Sequence, residues 1–119
     1  VCDAWNYRLQ VFSLTGEHRR SITGEWRQPQ RLCCAKDRLY LSEQRDDDIA
    51  AEDHIPLQGR RILVLSLQGD ILQVVTHPTE PTAEFRLICC LDGKLLALAR
   101  TYRGADAGSD HGMLALRGL

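Results

Sequence analysis

Arg8-Leu9-Gln10-Val11-Phe12-Ser13-Leu14-Thr15-Gly16-Glu17 returns 53 positions later as Arg61-Ile62-Leu63-Val64-Leu65-Ser66-Leu67-Gln68-Gly69-Asp70. A second pair of stretches repeats in the same order: Arg31-Leu32-Cys33-Cys34 comes back 56 positions on as Leu87-Ile88-Cys89-Cys90. Behind each lies a charged turn and an apolar run, Lys36-Asp37-Arg38-Leu39-Tyr40-Leu41 and Asp92-Gly93-Lys94-Leu95-Leu96-Ala97-Leu98. A partial third copy, Met113-Leu114-Ala115-Leu116-Arg117-Gly118, follows the pattern of Val64 to Gly69. Two ordered elements that recur in order mark an internal repeat.

The repeating unit reads as β-structure. Arg8 to Ser13 sets Leu9, Val11 and Ser13 against Arg8, Gln10 and Phe12, a period of two. Arg61 to Leu67 is more uniformly apolar, as suits a strand covered on both faces. Gly16, Gly69 and Asp92-Gly93 stand where hairpin turns want positive φ. The expected strands are Arg8–Ser13, Arg19–Thr23, Arg31–Ala35, Arg38–Ser42, Arg61–Leu67, Ile71–Val75, Phe85–Cys90, Lys94–Ala99 and Met113–Leu116. A helix has room only in Ser42 to His54, and Pro56 would end it. The approximate units are 1–28, 29–84 and 85–119, with insert loops at 43–60 and 101–112 that fall at the same place in the repeat. Loops of that length are usually functional or disordered.

The 119 residues amount to one ordinary domain, with 44% hydrophobic and 26% charged residues. Fifteen Lys and Arg against 16 Asp and Glu leave a formal charge of -1, which speaks against general nucleic-acid or membrane-surface binding. Apolar runs are a few residues long, far from the roughly 20 of a membrane helix. A start at Val1 without a signal peptide reads as a piece of something larger. Five cysteines, four of them in adjacent pairs, do not suit a secreted disulfide scaffold. Neighbours on a strand point to opposite faces, so Cys33 and Cys34 cannot easily bridge each other. Reduced thiols in the cytoplasm, or the nucleus, are expected.

Four short antiparallel strands per repeat is the arithmetic of a propeller blade. Val1-Cys2-Asp3-Ala4-Trp5-Asn6-Tyr7-Arg8-Leu9-Gln10-Val11-Phe12-Ser13-Leu14-Thr15-Gly16 resembles the NHL repeat, whose core reads approximately V-x-D-x-x-N-x-R-[IL]-Q-V-F-x-x-x-G. Pro29 to Cys34, with Asp37 and Leu39-Tyr40-Leu41, looks like the opening of the next blade. The resemblance is good over residues 1–43 and weaker beyond, where the insert replaces the Asp-x-x-Asn link. It implies an all-β propeller of antiparallel four-stranded blades, commonly six in this family, present here as an incomplete ring. The remaining blades would come from the same or another chain. Both cysteine pairs would then lie on the first strand, which lines the centre in this family.

Several candidate sites follow. Asp46, Asp47, Asp48, Glu52 and Asp53 form an acidic stretch beside His54 that fits no EF-hand or zinc spacing and reads as a solvated, partner-facing loop. His18, His77 and His111 are scattered without ligand spacing. Radially adjacent thiols have the softness for zinc, but burial of small hydrophobes on a crowded strand is the stronger reading. Arg19, Arg20, Trp26 and Arg27 form a basic–aromatic cluster that some NHL propellers would use on single-stranded RNA, with a Trp packed between blades the preferred reading. No catalytic, cofactor-binding or metal-binding residue and no cofactor is assigned. The function expected is a non-catalytic scaffold whose inserts contact protein partners in a larger assembly. The alternatives are an RNA-binding NHL module, for example in a ubiquitin-ligase-type protein, and a metal-dependent propeller hydrolase or lyase.

Overall fold

Ten strands and one short 3-10 turn account for the described part of the chain, residues 1–44, 58–80, 83–92, 94–102 and 109–116 of a computed structural model. The strands are β1 (Cys2–Asp3), β2 (Arg8–Phe12), β3 (His18–Thr23), β4 (Pro29–Ala35), β5 (Arg38–Glu43), β6 (Arg61–Ser66), β7 (Ile71–Thr76), β8 (Glu84–Leu91), β9 (Lys94–Tyr102) and β10 (Ser109–Leu116). They form three antiparallel sheets, ordered β1-β2-β3, β4-β5-β6-β7 and β10-β9-β8. The protein is all-β, and each of the nine expected strands is present. β9 and β10 run further than their apolar alternation, to Tyr102 and back to Ser109, which takes up part of the 101–112 insert. Ser42 and Glu43 belong to β5, and the rest of the stretch considered for a helix, from residue 45 on, lies outside the described residues. Among the described residues no helix is long and apolar enough to cross a membrane.

The sequence repeat is reproduced in strand register. In the first sheet Arg8 pairs Thr23, Leu9 pairs Ile22 and Gln10 pairs Ser21, with a bulge between Val11 and Phe12. In the second, Arg61 pairs Thr76, Ile62 pairs Val75 and Leu63 pairs Val74, with a bulge between Val64 and Leu65. Every partner and the bulge are displaced by the same 53 positions. The hairpin turns match as well: the Ser13 Oγ accepts the Glu17 N–H at 3.1 Å, and the Ser66 Oγ accepts the Asp70 N–H at 3.1 Å. A 56-residue displacement likewise relates β4–β5 to β8–β9, so Cys33 opposite Tyr40 corresponds to Cys89 opposite Leu96. Lys36 and Asp92 hold the same turn position, with φ of 55° and 51°. Bulges are specific local devices, and their recurrence is not a by-product of pattern alone.

Alternation then sorts the side chains into two cores. Leu39 and Leu41 of β5 and Leu63 and Leu65 of β6 pack with Leu9, Ile22 and Trp26, between the first and second sheets. Tyr40, Ile62, Val64 and Val75 pack with Ala83, Phe85, Leu95, Ala97 and Ala99, between the second and third. Successive residues of β6 therefore face opposite cores, and Ile62 to Leu65 are all fully buried. That is why this strand reads as an unbroken apolar run. Each such side chain contributes on the order of 2 kcal/mol of transfer free energy.

Candidate functional site

The strand directions bring the stems of the two inserts to one end of the molecule. Arg8, at the start of β2, pairs Asp3 at the end of β1 and Thr23 at the end of β3. Arg61 and Thr76 mark the same end in the second sheet, and Tyr102 paired with Ser109 marks it in the third. The strand ends flanking 44–60 and 103–108 therefore lie on the same side as the connections 4–7, 24–28 and 77–83. The opposite end carries the tight turns at Ser13–Glu17, Lys36–Asp37 and Ser66–Asp70.

At the insert end the connections are held by charge. In the first sheet the Asp3 carboxylate accepts the Asn6 Nδ2 at 3.1 Å and the Arg8 Nε at 2.9 Å. The 3-10 turn Ala4–Asn6 and Tyr7, at φ 56°, bring Asn6 and Arg8 back onto Asp3. The Asp-x-x-Asn-x-Arg spacing thus closes a tight link between two strands. These hydrogen bonds, the one from Arg8 first, lower the Asp3 pKa below the usual carboxylate value.

In the second sheet the corresponding carboxylate is Glu43 and the corresponding base is Arg61. Arg61 Nε lies 2.6 Å from Glu43 Oε1, and both side chains are buried. Glu43 Oε2 also accepts the backbone N–H of Arg27 at 3.0 Å, while Arg61 Nη2 donates to the Glu25 carbonyl at 3.0 Å. Gln58 Nε2 donates to the Gln44 carbonyl at 3.0 Å, and the Gly59 carbonyl accepts the Phe85 N–H at 3.1 Å. One buried ion pair with its satellites therefore ties together 25–28, 43–44, 58–61 and the start of β8. It fixes the stems of the first insert on rigid strands. Sequence reading missed this junction; the signal is an acidic residue ending the strand before the link and an arginine opening the strand after it.

The other expected site residues are dispersed. Asp46, Asp47, Asp48, Glu52 and Asp53 lie outside the described residues. Arg19 is exposed on β3, 3.9 Å from Glu17. Arg20 donates to the Leu67 carbonyl at 2.7 Å and so ties β3 to the turn of the second sheet. Arg27 lies over the Tyr7 ring, 5.8 Å from its centroid. Trp26 is 2% exposed, inside the core between the first and second sheets. Its ring is a packing element and is not presented for stacking on a base.

Of the cysteines, Cys34 and Cys89 are exposed, and Cys2, Cys33 and Cys90 are partly buried. Cys33 and Cys90 belong to the core between the second and third sheets, with their sulfurs 3.0 Å apart. Burial, then the Cys90 sulfur, pushes the Cys33 thiol far above its ordinary range. Burial also raises the Cys2 thiol. Among the described residues no three His, Cys, Asp or Glu side chains converge as a metal site. Comparison of the chain with protein-family models, with curated proteins and with solved structures returns no match.

Proposed function

We propose that the three sheets are successive blades of an NHL-like β-propeller, and that the protein is a non-catalytic platform presenting its inserts to protein partners. The observation that carries this reading is the registered repetition of the sheets, with the stems of both inserts at one end. A rigid scaffold with loops displayed at one end is a general way to build a contact surface.

Surface chemistry supports continuation beyond the third sheet. Cys33, Ala35 and Tyr40 on the second sheet pack against the third, and their equivalents there are Cys89, Leu91 and Leu96. Leu91 is 57% exposed, and Leu87 on the same face is 47% exposed. A further blade, from the same or another chain, would cover them. On the first sheet the corresponding outer face is mostly polar, with the Gln10 amide among Arg8, His18 and Ser21, and Phe12, 45% exposed, set edge-on against His18. The RNA-binding reading has less support, because Trp26 is inside a core and Arg20 and Arg27 already have partners.

The acidic insert is the residue-level element of this function, and Asp46, Asp47 and Asp48 replaced by Ser in the full-length protein test it. Folding should stay within about 0.5 kcal/mol of wild type, as surface changes usually do. Association with the protein that co-purifies with it should slow, most at low salt, because exposed charges act by steering. Unchanged association at low salt would remove the acidic insert from the function.

A further inference from the structure

We propose that Cys33 and Cys90 are a redox-modifiable pair that closes into a disulfide linking the second and third sheets. Cys33 lies on β4 and Cys90 on β8, strands that pack directly against each other. Their sulfurs are 3.0 Å apart. A disulfide requires about 2.05 Å, so closure asks for an approach of about 1 Å, within the reach of small χ1 changes. Both residues are partly buried rather than sealed, which leaves access for a small oxidant.

The geometry favours this over metal binding. Two thiolates on one zinc ion would sit about 3.8 Å apart, given Zn–S of about 2.3 Å and tetrahedral angles. The pair is closer than that, and no third ligand joins it among the described residues. Cys34 and Cys89 cannot complete a set, since strand alternation turns each to the opposite face of its sheet. The repeat explains why the partners are Cys33 and Cys90 rather than the equivalent Cys33 and Cys89. When equivalent sheets stack, one face of the first meets the opposite face of the second, so a residue meets its equivalent's neighbour.

The chemistry balances with a peroxide as oxidant. The Cys90 sulfur attacks the peroxide oxygen as thiolate, forming a sulfenic acid and releasing water after proton transfer; the Cys33 thiol, held protonated by burial, then displaces a further water from that sulfur. The S–S bond forms, the two sulfurs together lose two electrons and two protons, and hydrogen peroxide is reduced to two molecules of water.

The test is peptide mapping of the full-length protein carrying Cys2→Ser, Cys34→Ser and Cys89→Ser, treated with hydrogen peroxide. Trypsin, cutting after Arg31, Lys36, Arg86 and Lys94, would release 32–36 and 87–94 as one linked species that lacks two hydrogens. Dithiothreitol should separate them, and Cys90→Ser should abolish the link. The oxidised protein should also melt at a higher temperature than the reduced one. In the wild-type protein, oxidised first and with the remaining free thiols alkylated afterwards, fragmentation of the linked species should place the bond between Cys33 and Cys90, which guards against misfolding of the variant. Recovery of the peptides unlinked, with Cys33 and Cys90 as thiols or separate sulfinic acids, would overturn the proposal. So would a zinc ion retained through desalting that prevents the link.

Discussion

Glu43 and Arg61 form a buried ion pair at 2.6 Å, at the point where the chain leaves β5 and returns to β6. In the first sheet Asp3 and Arg8 hold the equivalent place at 2.9 Å, but both are partly exposed. The same motif thus closes a four-residue link, Ala4 to Tyr7, in one repeat and anchors the stems of a long insert in the next. Burial separates the two cases energetically, since an exposed pair is weak and half of a buried pair leaves an uncompensated charge.

Glu43→Ala should accordingly destabilise the protein by about 3 kcal/mol or more, seen as a lowered denaturant midpoint. Asp3→Ala should have a much smaller effect in the same measurement. Replacing Glu43 and Arg61 together by Met should recover part of the loss, because no buried charge is left alone. Equal effects of the two acidic substitutions would mean that the Glu43 junction is as solvated as its counterpart.

The two hairpin glycines make a second matched pair. Gly16 and Gly69 have φ of 91° and 95°, so alanine is strained at both. A Cβ at Gly16 would meet open space, whereas one at Gly69 would collide with Ile22 Cγ2 across the first sheet boundary. Gly69→Ala should therefore cost more stability than Gly16→Ala, by about 1 kcal/mol or more, an overpacking penalty added to the shared backbone strain. Thermal melting of the two variants side by side checks it.

Much of this architecture was legible from residue order. Leu9, Val11 and the Gly16 turn announced a hairpin, and the apolar run from Ile62 to Leu65 announced a strand with two covered faces. β1 was not legible, because Cys2–Asp3 is too short to alternate. The far ends of β9 and β10 were hidden by residues such as Arg100 and Gly112, which carry no strand pattern although they pair in register. The Glu43 junction escaped because an acidic residue beside a charged loop reads as part of that loop. The Cys33–Cys90 contact escaped for a geometric reason: the repeat aligns Cys33 with Cys89, and only the stacking of sheets moves the partner along by one.

Hydrogen–deuterium exchange on the full-length protein, free and in its native assembly, tests the platform reading most directly. The reading predicts that binding adds protection at the insert end, in 24–28, 44–60 and 103–108. It predicts no change at the turns Ser13–Glu17, Lys36–Asp37 and Ser66–Asp70, which lie at the opposite end. Protection confined to those turns, with the insert end exchanging alike in both states, would contradict it.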